Sequence, residues 1–154
     1  AASLAAERRV SAWRSALAER GIPEPGLLRG DWSADSGYEA GLRLAASDCT
    51  AVFVANDQMA LGVLRAFNEQ GIRVPGDVSV VGFDDIPDSS SFSPPLTTVH
   101  QDFAELGRRC VDSVLRQMEE NITEPGCDLI PTRLVVRDST AEVPKQRSRS
   151  TCRE

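Results

Sequence analysis

The chain has 154 residues, 41% of them hydrophobic and 26% charged, enough for one domain with a sizeable core and unlike a disordered chain. A formal charge of −6 repels phosphates on average, and no stripe of Lys and Arg offsets it, so this chain by itself is expected to bind DNA poorly. No apolar run approaches the length of a bilayer-spanning helix.

The opening, AASLAAERRV, has neither an initiating Met nor a charged-then-apolar signal pattern, so the natural protein is expected to begin upstream of Ala1. Residues Leu4 to Arg20 show helix-compatible apolar spacing at Leu4, Ala5, Val10, Trp13 and Leu17, with Trp13 facing a core; Gly21 and Pro23 are the stop. A second helix is predicted from a Ser33 or Asp35 cap to about Ala46. The run AVFVA at 51–55 lacks alternation, which predicts a strand buried on both faces of a parallel sheet. The Asn56-Asp57 turn opens a helix over QMALGVLRAFNEQ, with Asp57 as its simplest N-cap and Gly71 as its end. SVVGF at 79–83 reads as another buried strand, so strand, helix and strand form a right-handed crossover.

From Asp84 to Pro95 the sequence is rich in Asp, Ser and Pro and reads as a loop. Thr97 to Gln101 predicts a brief strand, and Asp102 caps a helix running through Leu106, Val111, Val114 and Leu115 to about Glu119. LIPTRLVVR at 129–137 predicts a last strand, and residues 138–154 are expected to be a disordered tail. Cys49, Cys110, Cys127 and Cys152 include no C-x-x-C pair, and only His100 is available to join them in a metal site. They read as reduced thiols of a cytoplasmic protein.

In an open α/β sheet, ligands bind beyond the carboxyl ends of the strands. Asn56 and Asp57 directly follow the first predicted strand, and Asp84 and Asp85 the second. An amide that donates and accepts, beside carboxylates that accept hydroxyl hydrogens, suits a polyol. Trp32 offers a flat apolar face for a sugar ring. Each residue also has a plainer use: Asp57 as a cap, Asp84 and Asp85 in Asx turns, Trp32 in a core or interface. Asp84, Asp85 and Asp88 lack the spacing and central Gly of a calcium loop, so no metal is expected. The chain has no G-x-S-x-G elbow, no G-x-x-x-x-G-K-[ST] loop and no G-x-G-x-x-G, and His100 has no nucleophile beside it. Binding is therefore the expected class, with no enzymatic activity and no cofactor.

VFVANDQMALGVLRAF, residues 52–67, is similar to a strand-turn-helix signature shared by LacI-type regulators and periplasmic sugar-binding proteins. IRVPGDVSVVGFDDIPDSSSFSPPLTTVHQDFAELG, residues 72–107, resembles the regulator branch, with its V-P-x-D-[IV]-S-[VI]-[VI]-G-[FY]-D-[DN] core followed by P-P-L-T-T and a helix. Together with GDWSADSG at 30–37, these strings resemble the lactose branch of the LacI/GalR family of transcription repressors, from Ser3 to about Arg137.

The resemblance implies a periplasmic-binding-protein-like sensor with an inducer between two lobes, behind a helix-turn-helix head and hinge. Residues 1–137 would be the C-terminal part of that effector-binding domain: an α/β, three-layer, parallel-sheet lobe, with the second lobe largely missing and the head absent. Carried over by position, the implied inducer contacts are Arg9, Trp32, Asn56, Asp84, Gln101 and Phe103. Arg9 and Asn56 would hydrogen-bond sugar hydroxyls, Asp84 would accept from them, Trp32 would pack on the ring and Phe103 would line the cleft. Where the lactose branch has a Ser contact just ahead of the Arg, this chain has Ala5, which bears on galactoside recognition. The resemblance also implies a cytoplasmic homodimer through this lobe, using the helix from Ser33, the helix after Asp57 and the loop Asp85–Ser93. Leu61 and Phe92 suit either that interface or a core. Lys145, Arg147 and Arg149 stand in the tail in place of tetramerising leucine heptads, so dimers rather than tetramers are expected. The helix after Asp102 would pack on the missing lobe, and operator DNA would be bound only through the missing head. The alternative reading is a periplasmic sugar-binding protein of a transporter.

Overall fold

The computed structural model describes residues 4–120 and 129–142. Helix α1 spans Leu4–Glu19, α2 Ala34–Ala45, β1 Ala51–Phe53, α3 Asp57–Glu69 and β2 Ser79–Asp84. A short 3-10 turn, Pro87–Ser91, precedes β3 (Thr97–His100), α4 (Phe103–Glu120) and β4 (Arg133–Val135). The sheet order is β1-β2-β3-β4, with β1, β2 and β3 parallel and β4 antiparallel to β3. The predicted crossover is therefore present, closed at one edge by an antiparallel strand.

The helix ends follow the expected backbone chemistry. After α1, Gly21 has φ +63°, and the Ile22 and Gly21 amides return to the carbonyls of Leu17 and Ala18. After α3, Gly71 at φ +69° repeats the pattern, with the Ile72 and Gly71 amides on Phe67 and Asn68. In both, a left-handed residue lets two orphan carbonyls find donors. Ser33 caps α2, and Asp102 accepts from the Glu105 amide at the start of α4.

α2 and α3 pack tightly because small residues meet at their crossing. A methyl group at Gly37 would overlap the Met59 carbonyl, and one at Gly62 would overlap the Ala34 carbonyl. Beneath them, Val63, Leu64, Phe67, Val78, Val80 and Leu96 form the core between α3 and the sheet. Each such side chain contributes about 1.5–3 kcal/mol on burial.

Several expectations are corrected. β1 is not buried on both faces: it is the edge strand, and Val52 packs against the core while Phe53, pointing to the opposite face, is 42% exposed. Trp13 is half-buried, and α1 has no fully buried residue among its own. The last strand is confined to Arg133–Val135, with Leu129 and Val136 exposed on either side. The loop after β2 contains the Pro87–Ser91 turn, whose Ser89 is fully buried, and Phe92 belongs to the core.

Order also extends past residue 137, against the expectation of disorder over 138–154. Ser139 is fully buried: its hydroxyl donates to the Val80 carbonyl (2.6 Å) and accepts from the Thr97 amide (2.8 Å). Its own carbonyl accepts from the Val80 amide. A polar segment becomes fixed here by satisfying the backbone groups of β2 and β3. The rest of the predicted tail, 143–154, with Lys145, Arg147, Arg149 and Cys152, lies outside the described residues, as does Cys127.

Candidate functional site

Two loops meet at the carboxyl ends of β1 and β2. The first carries Trp32, which has a left-handed φ of +75°. Asp31 holds this turn, accepting from the amide and hydroxyl of Ser33 while its own amide donates to the Ser36 hydroxyl. The hydrogen bond from the Ser33 side chain is the main reason the Asp31 carboxyl is pushed down to about 2. The Trp32 carbonyl accepts from the Asn56 side-chain amide at 3.0 Å.

Asn56, not Asp57, is the cap of α3. Its backbone is extended, and its side-chain oxygen accepts from the Met59 amide at 3.0 Å. With the oxygen on the cap and one amide hydrogen on Trp32, the buried Asn56 side chain retains one hydrogen for a ligand. Asp57, the first helical residue, turns inward and is fully buried. It accepts from the Ile86 amide (3.0 Å), the Ser89 hydroxyl (2.5 Å) and the Thr98 hydroxyl (2.6 Å).

The second loop begins at the end of β2, where Asp84 has φ +111° and Asp85 φ +56°. Among the described non-glycine residues only Trp32, Asp84 and Asp85 have positive φ, and all three belong to these two loops. Such conformations cost about 1–3 kcal/mol each and persist where surrounding contacts over-determine them, often at ligand clamps.

Arg9 joins the loops from α1. Its guanidinium donates to the Ala55 carbonyl at 2.7 Å and lies 4.0 Å from the Phe83 ring centroid and 5.5 Å from that of Trp32. The flat cation is thus held by a carbonyl and two aromatic faces, with further N–H groups to offer. Burial lowers the Arg9 pKa, opposed by the charge of Asp84. Gln101, just after β3, donates to the Asp84 carboxylate at 2.6 Å. Burial raises the Asp84 carboxyl, the Gln101 hydrogen bond and the Arg9 charge counter it, and the charge of Asp57 adds to the rise. The result is a half-sheltered acceptor beside a half-sheltered donor fork, an arrangement suited to a neutral polyhydroxy ligand.

The structure thus brings Arg9, Trp32, Asn56, Asp84 and Gln101 into one linked cluster. Phe103 is joined to it through its backbone amide on the Gln101 carbonyl, and the residue is 53% exposed. Phe83 was not singled out from sequence, although strand alternation places it with Val81 on the face opposite the buried Val80 and Gly82. Asp85 has other work: it binds Arg137 at 2.7 Å and the His100 ring at 2.9 Å. Among the described residues no three His, Cys, Asp or Glu side chains converge as a metal site, and Cys49 and Cys110 are free thiols. No described helix is long and apolar enough to cross a membrane.

Residues 2–140 match the model of the periplasmic binding protein-like domain. The chain belongs to that family. Within it, the resemblance to LacI-type repressors holds. The chain is 44% identical over 140 residues to the lactose operon repressor of Escherichia coli K12, covering 90% of this chain and 39% of the repressor. It is 40% identical over 115 residues to the HTH-type transcriptional repressor PurR of Pasteurella multocida, covering 73% of this chain and 34% of that protein. The crystal structure of a lac repressor dimer bound to operator and the anti-inducer ONPF superposes with a TM-score of 0.83 at 44% identity, covering 90% of this chain and 49% of that one. This periplasmic binding protein-like chain therefore spans 39% and 34% of the lengths of these two repressors.

Proposed function

We propose that this chain is the effector-sensing and dimerising part of a LacI-type transcription repressor, and that its effector is a sugar of galactoside-like character. The observation that carries the reading is the Arg9, Asp84 and Gln101 cluster beside the Trp32 loop, at the strand edge where open α/β sheets take ligands. In this reading Arg9 donates to sugar hydroxyls and Asp84 accepts from them. Gln101 orients Asp84, Trp32 packs on the ring, Asn56 supplies its remaining amide hydrogen, and Phe103 lines the open side.

Switching requires that the effector bind one lobe arrangement better than the other, since equal affinity shifts no equilibrium. The apolar stripe of α4, with Val111, Val114, Leu115 and Met118 all more than half exposed, suits a face against the upstream lobe. Leu61, 44% exposed on α3, suits the dimer face together with α2 and the Asp85–Ser93 loop. Operator DNA is contacted through a head upstream of this acidic chain, and the protein works in the cytoplasm. Similarity to named repressors favours this reading over a transporter's sugar receptor.

The test is DNA release. The intact protein, bound to a fragment carrying its own promoter region, is titrated with methyl β-galactoside and other simple sugars in a mobility-shift assay. Release by one of them, lost in Asp84→Asn while DNA binding is kept, is expected. Sugar binding by a protein that never retains DNA contradicts the repressor reading.

A further inference from the structure

The Asp57 carboxylate is the most thoroughly enclosed charge-bearing group among the described residues, and the proposed ligand contacts do not use it. An acidic residue in the first turn of a helix ordinarily serves the amides of that turn. Asp57 instead reaches out of α3 to two other elements: the Ile86 amide and Ser89 hydroxyl of the 84–91 segment, and the Thr98 hydroxyl of β3. Gly82 of β2 makes room for it, since a methyl group there would collide with its Oδ1. Directly before Ile86 stand Asp84 and Asp85, both in left-handed conformations that need external restraint. Directly before Asp57 stands Asn56, which restrains the Trp32 carbonyl.

We propose that Asp57 is a positioning residue for the effector cleft, fixing the Asp84–Ser89 turn and so the direction in which Asp84 presents its carboxylate. Two adjacent side chains at the start of α3 then set both loops of the site, Asn56 the Trp32 loop and Asp57 the Asp84 loop. The charge of Asp57 also contributes to the upward displacement of the Asp84 carboxyl, behind burial. The role rests on the sugar-sensing reading only in its consequence for affinity; the restraint of the turn stands without it.

The experiment compares the intact wild-type protein with Asp57→Asn, which preserves shape but replaces one acceptor oxygen with a donor amide and removes the charge. Two quantities are read: methyl β-galactoside affinity as a function of pH, and amide hydrogen exchange of the segment 84–91 without ligand. Expected are an affinity loss of about tenfold or more at neutral pH, an acid limb of binding displaced to lower pH, and faster exchange confined to that segment. The displaced limb reads the loss of the Asp57 charge beside Asp84, and acceleration confined to 84–91 separates restraint of this turn from a general loss of stability, which would not be confined there. An unchanged limb, or affinity within twofold of wild type, overturns the proposal. If the wild type binds no galactoside, the sugar reading fails by itself, and the exchange arm decides alone: unaltered exchange at 84–91 overturns the restraint, localised acceleration supports it. If Asp57→Asn does not fold, Ser89→Ala removes one of the three donors, and wild-type exchange and binding in that variant overturn the proposal.

Discussion

The Gln101 side-chain amide donates a 2.6 Å hydrogen bond to the Asp84 carboxylate, joining the residue after β3 to the last residue of β2. The bond leaves the other carboxylate oxygen for a ligand hydroxyl and fixes the plane in which it is offered. Gln101→Ala removes an oriented donor from a charged acceptor, an interaction of about 1.5–3 kcal/mol. The variant is expected to bind effector about 10- to 100-fold more weakly with unchanged dimerisation, as read by calorimetric titration and sedimentation.

Phe83 holds Arg9 by its face rather than by a polar contact. Phe83→Leu keeps apolar volume but removes the π surface, worth about 0.5–2 kcal/mol in cation–π terms. Effector affinity is expected to fall about 2- to 30-fold, while thermal unfolding changes little. An affinity equal to wild type would show that the carbonyl of Ala55 suffices to place the guanidinium.

Ser139 makes the segment after β4 part of the fold. Ser139→Ala leaves the Thr97 amide without its acceptor in a dry environment, a cost of about 1–3 kcal/mol. Chemical denaturation is expected to show this loss with an unchanged denaturant slope. A neutral substitution would contradict the placement of residues 138–142 against β2 and β3.

Asp84 and Asp85 are adjacent yet respond oppositely to pH. Asp85 is pushed up by burial, but hydrogen bonds from Arg137 and His100 outweigh this and leave its carboxyl below the ordinary range. Its stabilising contribution is therefore present above the unfolded value of about 3.9 and is lost as pH falls through the lowered folded value. Asp84 is raised, so its contribution is complete below about 3.9 and is lost as pH rises through the folded value. Arg137→Ala is expected to move acid unfolding to higher pH. Asp84→Asn is expected to leave stability at neutral pH equal to wild type or greater, because a half-sheltered charge is removed. Circular dichroism followed from pH 7 (about neutral) into acid checks both.

Much of the fold was legible along the chain. Gly21 and Gly71 marked helix ends, Ser33 or Asp35 and Asp102 marked helix starts, with Ser33 the cap of α2, and the apolar spacing of α3 marked its core face. The candidate site was legible as a strand edge carrying Asn56, Asp57, Asp84 and Asp85, but not in its internal wiring. Capping rules could not separate Asn56 from Asp57, because what draws Asp57 inward is Ser89 and Thr98, 32 and 41 residues away. The left-handed backbone has no signature in residue type at Trp32 and only a weak one at Asp84 and Asp85, Asp being a residue type enriched there; tertiary contacts impose it. Ser139 lacked any local signal for the same reason: its partners Thr97 and Val80 are 42 and 59 residues distant. The run 51–55 showed that β1 is apolar but not that only one of its faces would be covered.

The most direct measurement is a fluorescence titration of the intact protein with methyl β-galactoside, run beside Asp84→Asn. The sensing account predicts a saturable signal from the Trp32 environment in the wild type and its loss in Asp84→Asn, with both proteins equally folded. Saturable binding that survives Asp84→Asn undiminished would contradict the cleft assigned here.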